Sequence, residues 1–257
     1  MHKELKMTVN STLDKGTRLD GRKSEEYRQI EVETGVTKNA EGSARVKMGD
    51  TEVLAGVKME VSKPYPDTPE QGGLMVNVEL LPLSNPDFEP GPPGPRAIEL
   101  ARVTDRAIRE SKCIDVKKLC ITPKELVWTV IIDIVAINAA GNLADAIPLA
   151  ATAAIKDAKL PKQDGGVVDY KNMTDKPLPI VKDVPVSVTV FKYGKHLLID
   201  PTDEEEKVYD SRLTVGVMKD GKLCSMQKGG DSSFTINDFS DMLDLAQEKA
   251  KELFKHI

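Results

Sequence analysis

Apolar positions along the chain fall into two successive runs of strands, each closed by a helix. Leu5, Val9 and Leu13 recur at intervals of four and predict a short amphipathic helix over residues 1–15. Alternation then predicts strands at 29–36, 44–48 and 53–61, with Gly49-Asp50 as the tight turn between the last two. A further strand is expected at 74–83. Pro82, Pro86, Pro90, Pro92, Pro93 and Pro95, with Gly91 and Gly94, make the next stretch a loop that feeds a helix at about 96–112. Residues 127–137 are a β-branched run with the pattern of a buried central strand. That run passes through Gly141-Asn142 into an Ala-rich helix over 142–158, in which Pro148 predicts a kink or a late start.

Residues 163–185 are rich in Asp, Gly, Lys and Pro and read as a linker. Strands are predicted again at 186–193, 196–199, 213–218 and 222–227, the last two joined by a hairpin turn at Lys219-Asp220-Gly221. The final helix places Ile236, Phe239, Leu243, Ala246, Ala250, Leu253, Phe254 and Ile257 on one face, behind a capping-box variant at Thr235 and Asp238. Strands first and helices last favour an α+β fold over a doubly wound sheet. The expected organisation is an N-terminal helix and arm (1–28), a first domain (29–162), the linker (163–185) and a smaller second domain (186–257).

Composition narrows the function. The 257 residues are 40% apolar and 30% charged, as in ordinary globular proteins. Without eighteen consecutive apolar residues or an apolar stretch near Met1, neither membrane spanning nor export is expected. Cys113, Cys120 and Cys224 lack metal-site spacing and read as small buried residues in a reducing cytoplasm. His2, His196 and His256 offer no basis for a histidine metal site or a Ser-His-Asp triad, and no cofactor motif occurs. A net charge of −5 requires any nucleic-acid contact to come from a local basic stripe.

Three constellations could carry chemistry. A strand running through a Gly turn into a helix start is an anion frame, because free backbone N–H groups point at the ligand. Phosphate sites usually add a hydroxyl and a cation there, where this chain has Asn142 and Leu143. Next, Arg102, Arg106 and Arg109 lie within about 60° of one another on a helix and suit bidentate phosphate contacts. The bland alternative is a solvated face with Glu99, Asp105 and Glu110 pairing locally with the arginines. Lastly, Asp200-Pro-Thr-Asp-Glu-Glu-Glu206 resembles a cation site. Thr202 and Glu205 make it better read as a capping box whose acids fan outward, with Asp200 the one carboxylate placed for function. Asp133 reads as a satisfied core or interface acid.

Arg18-Leu-Asp-Gly-Arg22, Ile98-Glu-Leu-Ala-Arg-Val-Thr-Asp-Arg106, Gly141-Asn142, Leu198-Ile-Asp-Pro-Thr-Asp-Glu-Glu-Glu206 and Gln227-Lys-Gly-Gly230 occur in one order. That series resembles RNase PH-like proteins, and looks most like the non-catalytic RNase PH-like ring subunits of the archaeal exosome. The resemblance covers nearly the whole chain. It implies a ribosomal-S5-domain-2-like core followed by a smaller α+β half. It also implies a catalytic RNase PH-like partner, three heterodimers in a hexameric ring, S1-domain caps, and RNA degraded from its 3′ end by phosphorolysis. Arg102 and Arg106 match the family's RNA-clamping arginines. Active members carry a Ser/Thr-Arg pair where this chain has Asn142-Leu143, and an Asp about six residues before Asp200, where it has Gly194. The resemblance therefore implies an RNA-contacting subunit with no catalytic residue, metal or cofactor of its own. An active exoribonuclease with an unusual phosphate site, or a free-standing RNA-binding module, remain the rival readings.

Overall fold

The computed structural model describes residues 2–257, and all side chains among them except those of His2 and Lys171. The first sheet holds β1 (Ile30–Thr34), β2 (Gly42–Met48), β3 (Thr51–Ser62), β4 (Gly73–Leu80), β5 (Cys120–Thr122) and β6 (Leu126–Asn138). Its order is β1-β2-β3-β6-β4, with β5 pairing with β6. Neighbours are antiparallel except β4 and β6, which run parallel. A parallel pair needs a long crossover, and helix α2 (Pro95–Ser111) lies within it. The second sheet, β10-β9-β11-β12, is wholly antiparallel and comprises β9 (Val186–Tyr193), β10 (His196–Ile199), β11 (Ser211–Val217) and β12 (Leu223–Gly229).

Helix α3 (Leu143–Asp157) packs against β2, β3 and β6 of the first sheet and β9 of the second. Its position explains its composition. Every residue from Leu143 to Ile155 is buried, and alanine lets neighbouring backbones approach closely. The approach at Gly42 is the tightest: a Cβ there would lie 2.5 Å from the Ala154 carbonyl oxygen and the Ala158 Cα. Pro148 neither delays nor breaks α3, which runs unbroken from Leu143. Facing it are Val46, Met48, Val53, Ala55, Val57, Val130, Ile132 and Ile134 from the first sheet, all buried. Strand β6 is buried on this face from Trp128 to Ala136. Its other face is half open at Ile131 and Val135 and exposes Asp133, which accepts a hydrogen bond from Asn77 Nδ2 at 2.9 Å.

Other expectations need correction. The first part of the proposed linker is a β-hairpin of β7 (Lys159–Asp164) and β8 (Val167–Pro177). Asp164-Gly165-Gly166 makes its turn, both glycines at positive φ, and such a sequence is a hairpin signal in its own right. Helix α5 (Ile236–Leu253) packs on β9 and β11 through Met242, Leu245, Ala246, Ala250 and Leu253. The predicted Ala246, Ala250 and Leu253 are among these, Leu243, Phe254 and Ile257 pack at the margin of the core, and Ile236 is 88% exposed. The capping box at Thr235 and Asp238 is present. Cys113 is buried, whereas Cys120 and Cys224 are only half-buried. Helix α1 (His2–Asp14) packs Val9 and Leu13 against Phe191, Tyr193 and Leu198 of the second sheet. Among the described residues, no helix is long and apolar enough to cross a membrane.

Candidate functional site

The end of β6 turns at Gly141 (φ +95°) and Asn142 (φ +53°) into the N-terminus of α3. Asparagine tolerates this left-handed conformation better than most residues. The turn is closed by the segment that follows β10. A Cβ on Gly141 would lie 2.3 Å from the Pro201 carbonyl oxygen and 2.7 Å from the Asp203 nitrogen. Residues 200–206 therefore seat directly on the anion frame, with α4 (Asp203–Glu206) capped by the expected Thr202–Glu205 box.

That seating fills the frame with the chain's own carboxylates. Glu206 Oε2 accepts the Asn142 backbone N–H at 2.8 Å, and Glu206 Oε1 pairs with Arg96 Nη2 at 2.9 Å. Asn142 Nδ2 donates to Asp200 Oδ1 and to Asp145 Oδ2, each at 3.1 Å. Tyr27 also donates its hydroxyl to Asp145 Oδ2, at 3.0 Å. Burial pushes the Asp145 carboxyl up to about 7, against the pull of its hydrogen bonds with Asn142 and Tyr27. Leu143, where a phosphate site would want a cation, is 1% exposed and belongs to the core.

Arginines from the arm at 18–28 hold the segment in place. Asp200, itself in the left-handed region (φ +46°) and wholly buried, accepts from Arg22 Nη1 at 2.9 Å, Arg28 Nη2 at 2.7 Å and the Arg28 backbone N–H at 2.8 Å. Arg28 continues to the Ala140 and Gly141 carbonyls at 2.9 and 3.2 Å. Arg18 is 2% exposed and grips both Glu205 oxygens, at 3.2 and 2.5 Å, plus the Ile199 and Asp200 carbonyls. Buried ions are tolerated only when paired and hydrogen-bonded, and these meet that condition. Arg18-Leu-Asp-Gly-Arg22 is thus a lock between the arm and the second half. The acids of 200–206 do not simply fan outward: Asp200, Glu205 and Glu206 aim inward at separate partners. Arg28 and Glu206 carry no sequence signal of their own, because Asp200 and Ala140 lie 172 and 112 residues from Arg28, and Asn142 and Arg96 lie 64 and 110 from Glu206.

Gly194 does not belong to this site. It forms the turn of the β9–β10 hairpin at φ +57° and donates its N–H to Asp210 Oδ2. Strand β10 separates it from Asp200, on the order of 15 Å away at the usual rise per residue. A carboxylate at 194 would not reach the anion frame, so its absence carries no weight there.

The second element is α2, which packs between β4 and β12. Leu100, Thr104, Ala107 and Ile108 face inward, while Arg102, Arg106 and Arg109 lie exposed on the other arc. The three differ in what they already hold. Arg109 is committed to Asp105 by two hydrogen bonds, at 3.0 and 2.7 Å, and to the Leu74 carbonyl at 3.0 Å; the Asp105 bond raises its affinity for its proton. Arg106 pairs with Glu110 at 3.0 Å, with both side chains about half exposed. Such a pair contributes only about 0.3–0.5 kcal/mol and yields to a better anion. Among the described residues Arg102 has no hydrogen-bond or ion-pair partner. Glu99 turns away to Arg212 at 2.8 Å. Arg102 and Arg106 stand on a ridge between two clefts, one toward Val76 on β4 and one toward Met226 on β12.

This layered α+β architecture, with its strand-Gly-helix frame, is that of RNase PH-like proteins. The chain belongs to the 3′ exoribonuclease family, whose domain 1 matches residues 26–161 and domain 2 residues 183–249. It is similar to exosome complex component Rrp42 of Methanopyrus kandleri, 45% identical over 95% of this chain and 92% of the relative. The same component of Thermococcus gammatolerans is 47% identical over 96% and 91% of the two chains. Among solved structures, a chain of the Archaeoglobus fulgidus exosome with RNA bound to the active site superposes with a TM-score of 0.92. It is 43% identical, over 99% of this chain and 98% of the other. A chain of an archaeal exosome core gives 0.87 at 40% identity, over 98% and 95%. The expected RNase PH-like fold is the observed one.

Proposed function

We propose that this chain is a non-catalytic subunit of an archaeal exosome that holds RNA for a neighbouring catalytic RNase PH-like subunit. The observation that carries this reading is Glu206. Phosphorolysis needs inorganic phosphate fixed for in-line attack and donors aimed at the charge that develops. In this chain the N–H at the head of α3 is already taken by a carboxylate, Leu143 brings no cation, and Asp200 lies beside the turn. At an effective dielectric near 20, each unit charge of a phosphate about 4 Å from a carboxylate meets roughly 4 kcal/mol of repulsion. Losing one preorganised donor alone typically costs about 2.7–4 kcal/mol of barrier. The frame has become structural.

What remains for RNA is the α2 ridge. Among the described residues Arg102 has no partner and Arg106 only the exposed Glu110, and guanidinium groups suit phosphate oxygens. In this reading the chain assembles with its catalytic partner as three heterodimers in a hexameric ring, in the cytoplasm, under caps with S1-type domains. The ridge faces the partner's phosphorolytic centre. Residues 29–162 and 186–257 act as the two RNase PH-like domains. The test is reconstitution with the partner. Arg102→Glu with Arg106→Glu is expected to slow phosphate-dependent decay at least tenfold and to reduce the salt dependence of RNA retention, while the ring still sediments intact. Unchanged retention by an intact ring would remove Arg102 and Arg106 from the account.

A further inference from the structure

Arg102 lacks a partner among the described residues although its own helix offers two. Residues three and four apart on a helix are neighbours, so Glu99 and Asp105, each three positions from Arg102, are its natural partners. Both acids are engaged elsewhere. Asp105 is held by Arg109 through two hydrogen bonds, at 3.0 and 2.7 Å. Glu99 turns off the helix altogether: its Oε1 lies 2.8 Å from Nη2 of Arg212, on β11 of the second sheet. Three features fix the Arg212 side chain. It is only 13% exposed. Its Nη1 donates to the Thr214 hydroxyl at 3.4 Å. Its guanidinium lies across Gly229 on the adjacent strand β12, where a Cβ would come within 2.8 Å of Cζ. A guanidinium held in this way has little rotamer freedom left to lose and is poorly screened by solvent, so it competes well for a carboxylate. Arg96, the other cation one turn from Glu99, is taken by Glu206 at 2.9 Å. A released Glu99 would therefore meet Arg102.

We propose that Arg212 is a positioning residue for RNA: by drawing Glu99 onto the second sheet, it keeps Arg102 uncompensated and open to a phosphate. The inference rests on the reading of Arg102 as an RNA contact and adds what maintains that contact. Arg102 paired with Glu99 would have to break the pair before binding, which costs about twofold in affinity for an exposed helical pair. The acid left beside the phosphate would then repel it. The ridge on α2 is thus armed by a residue of the second half of the chain, through an ion pair that crosses between the two.

The test measures retention of a single-stranded oligoadenylate over a range of salt concentrations by the full chain, assembled with the proposed catalytic partner. Arg212→Met keeps the apolar stem and removes the charge. It should weaken retention about two- to fivefold and lower the slope of log affinity against log salt by up to about 0.7, the share of one phosphate contact on a single strand. Adding Glu99→Gln should restore both quantities, a rescue that a purely structural role for Arg212 would not give. Unchanged retention in Arg212→Met, or a loss that Glu99→Gln does not restore, overturns the proposal. Should Arg212→Met fail to assemble, Gly229→Ala decides by the same criteria. Gly229 lies on an outer strand without a positive φ, and the added methyl displaces the guanidinium while both charges remain. Arg102→Ala reports on the underlying reading separately. If it retains RNA as the wild type does, Arg102 is no RNA contact and both readings fall. If it weakens retention and Arg212→Met does not, only the role of Arg212 falls.

Discussion

Replacing Glu206 with alanine probes the occupied anion frame directly. The carboxylate accepts the Asn142 N–H at the head of a fifteen-residue helix and pairs with Arg96 across it. A hydrogen bond to a charged group contributes about 1.5–3 kcal/mol, and a negative charge at a helix N-terminus about 0.3–1 kcal/mol. The Arg96 pair adds at most about 1 kcal/mol, because Arg96 is 45% exposed. These contributions overlap, so Glu206→Ala should cost roughly 2–3 kcal/mol in urea unfolding. Glu206→Gln keeps an acceptor and should cost about 1 kcal/mol. The deletion also leaves a backbone N–H and a guanidinium facing a gap of carboxylate size. Formate or phosphate should therefore stabilise the alanine variant, by about 1.4 kcal/mol at ten times the dissociation constant, while leaving the wild type unmoved. A cost below about 0.5 kcal/mol, or equal stabilisation of both proteins by the anions, would refute the idea that Glu206 is the resident anion of this frame.

Further outcomes follow from the same network. Asp200→Ala strands Arg22 and Arg28 without their buried partner and should destabilise the chain by about 3–5 kcal/mol in denaturant titration; a cost under 1 kcal/mol would show that the arm is not locked there. Asp145 gives a pH signature. Its carboxyl is held near 7 when folded and titrates near 4 when unfolded, so the folded state binds the extra proton between those values. The stability from the neutral form is complete at about pH 4 and declines as pH rises through about 7. The full cost is of the order of 4 kcal/mol. Asp145→Asn should flatten that decline, and a parallel pH profile for the two proteins would contradict the assignment.

Much of this fold is legible in the sequence because local pattern and global packing agree. Gly49-Asp50 and Lys219-Asp220-Gly221 turn where their residue types demand, and the Thr202 and Thr235 caps open helices as predicted. Residues 163–185 look like a linker by composition, yet Asp164-Gly165-Gly166 turns a hairpin there. On helix α5 the buried set includes the predicted Ala246, Ala250 and Leu253, and contact with β9 and β11 extends it to Met242 and Leu245. At the candidate site, the sequence supplies a frame without a cation through Leu143, and an exposed arginine face on α2. It does not reveal that Arg18 is buried, that Arg28 bridges Asp200 to the Gly141 turn, or that Glu206 occupies the frame. Those roles arise from pairings between segments more than sixty residues apart, which no local pattern encodes. Gly194 shows the converse: the family resemblance grouped its position with Asp200, and an intervening strand separates the two.

The central claim is that the chain has kept its hold on RNA and given up the chemistry. Release of nucleoside diphosphates from oligo-RNA in inorganic phosphate, measured for the purified chain before and after the proposed catalytic partner is added, tests this most directly. The account predicts no release from the chain alone and phosphate-dependent release once the two are mixed. Sustained turnover by the chain alone, abolished by substitution at Asn142 or Asp200, would contradict it.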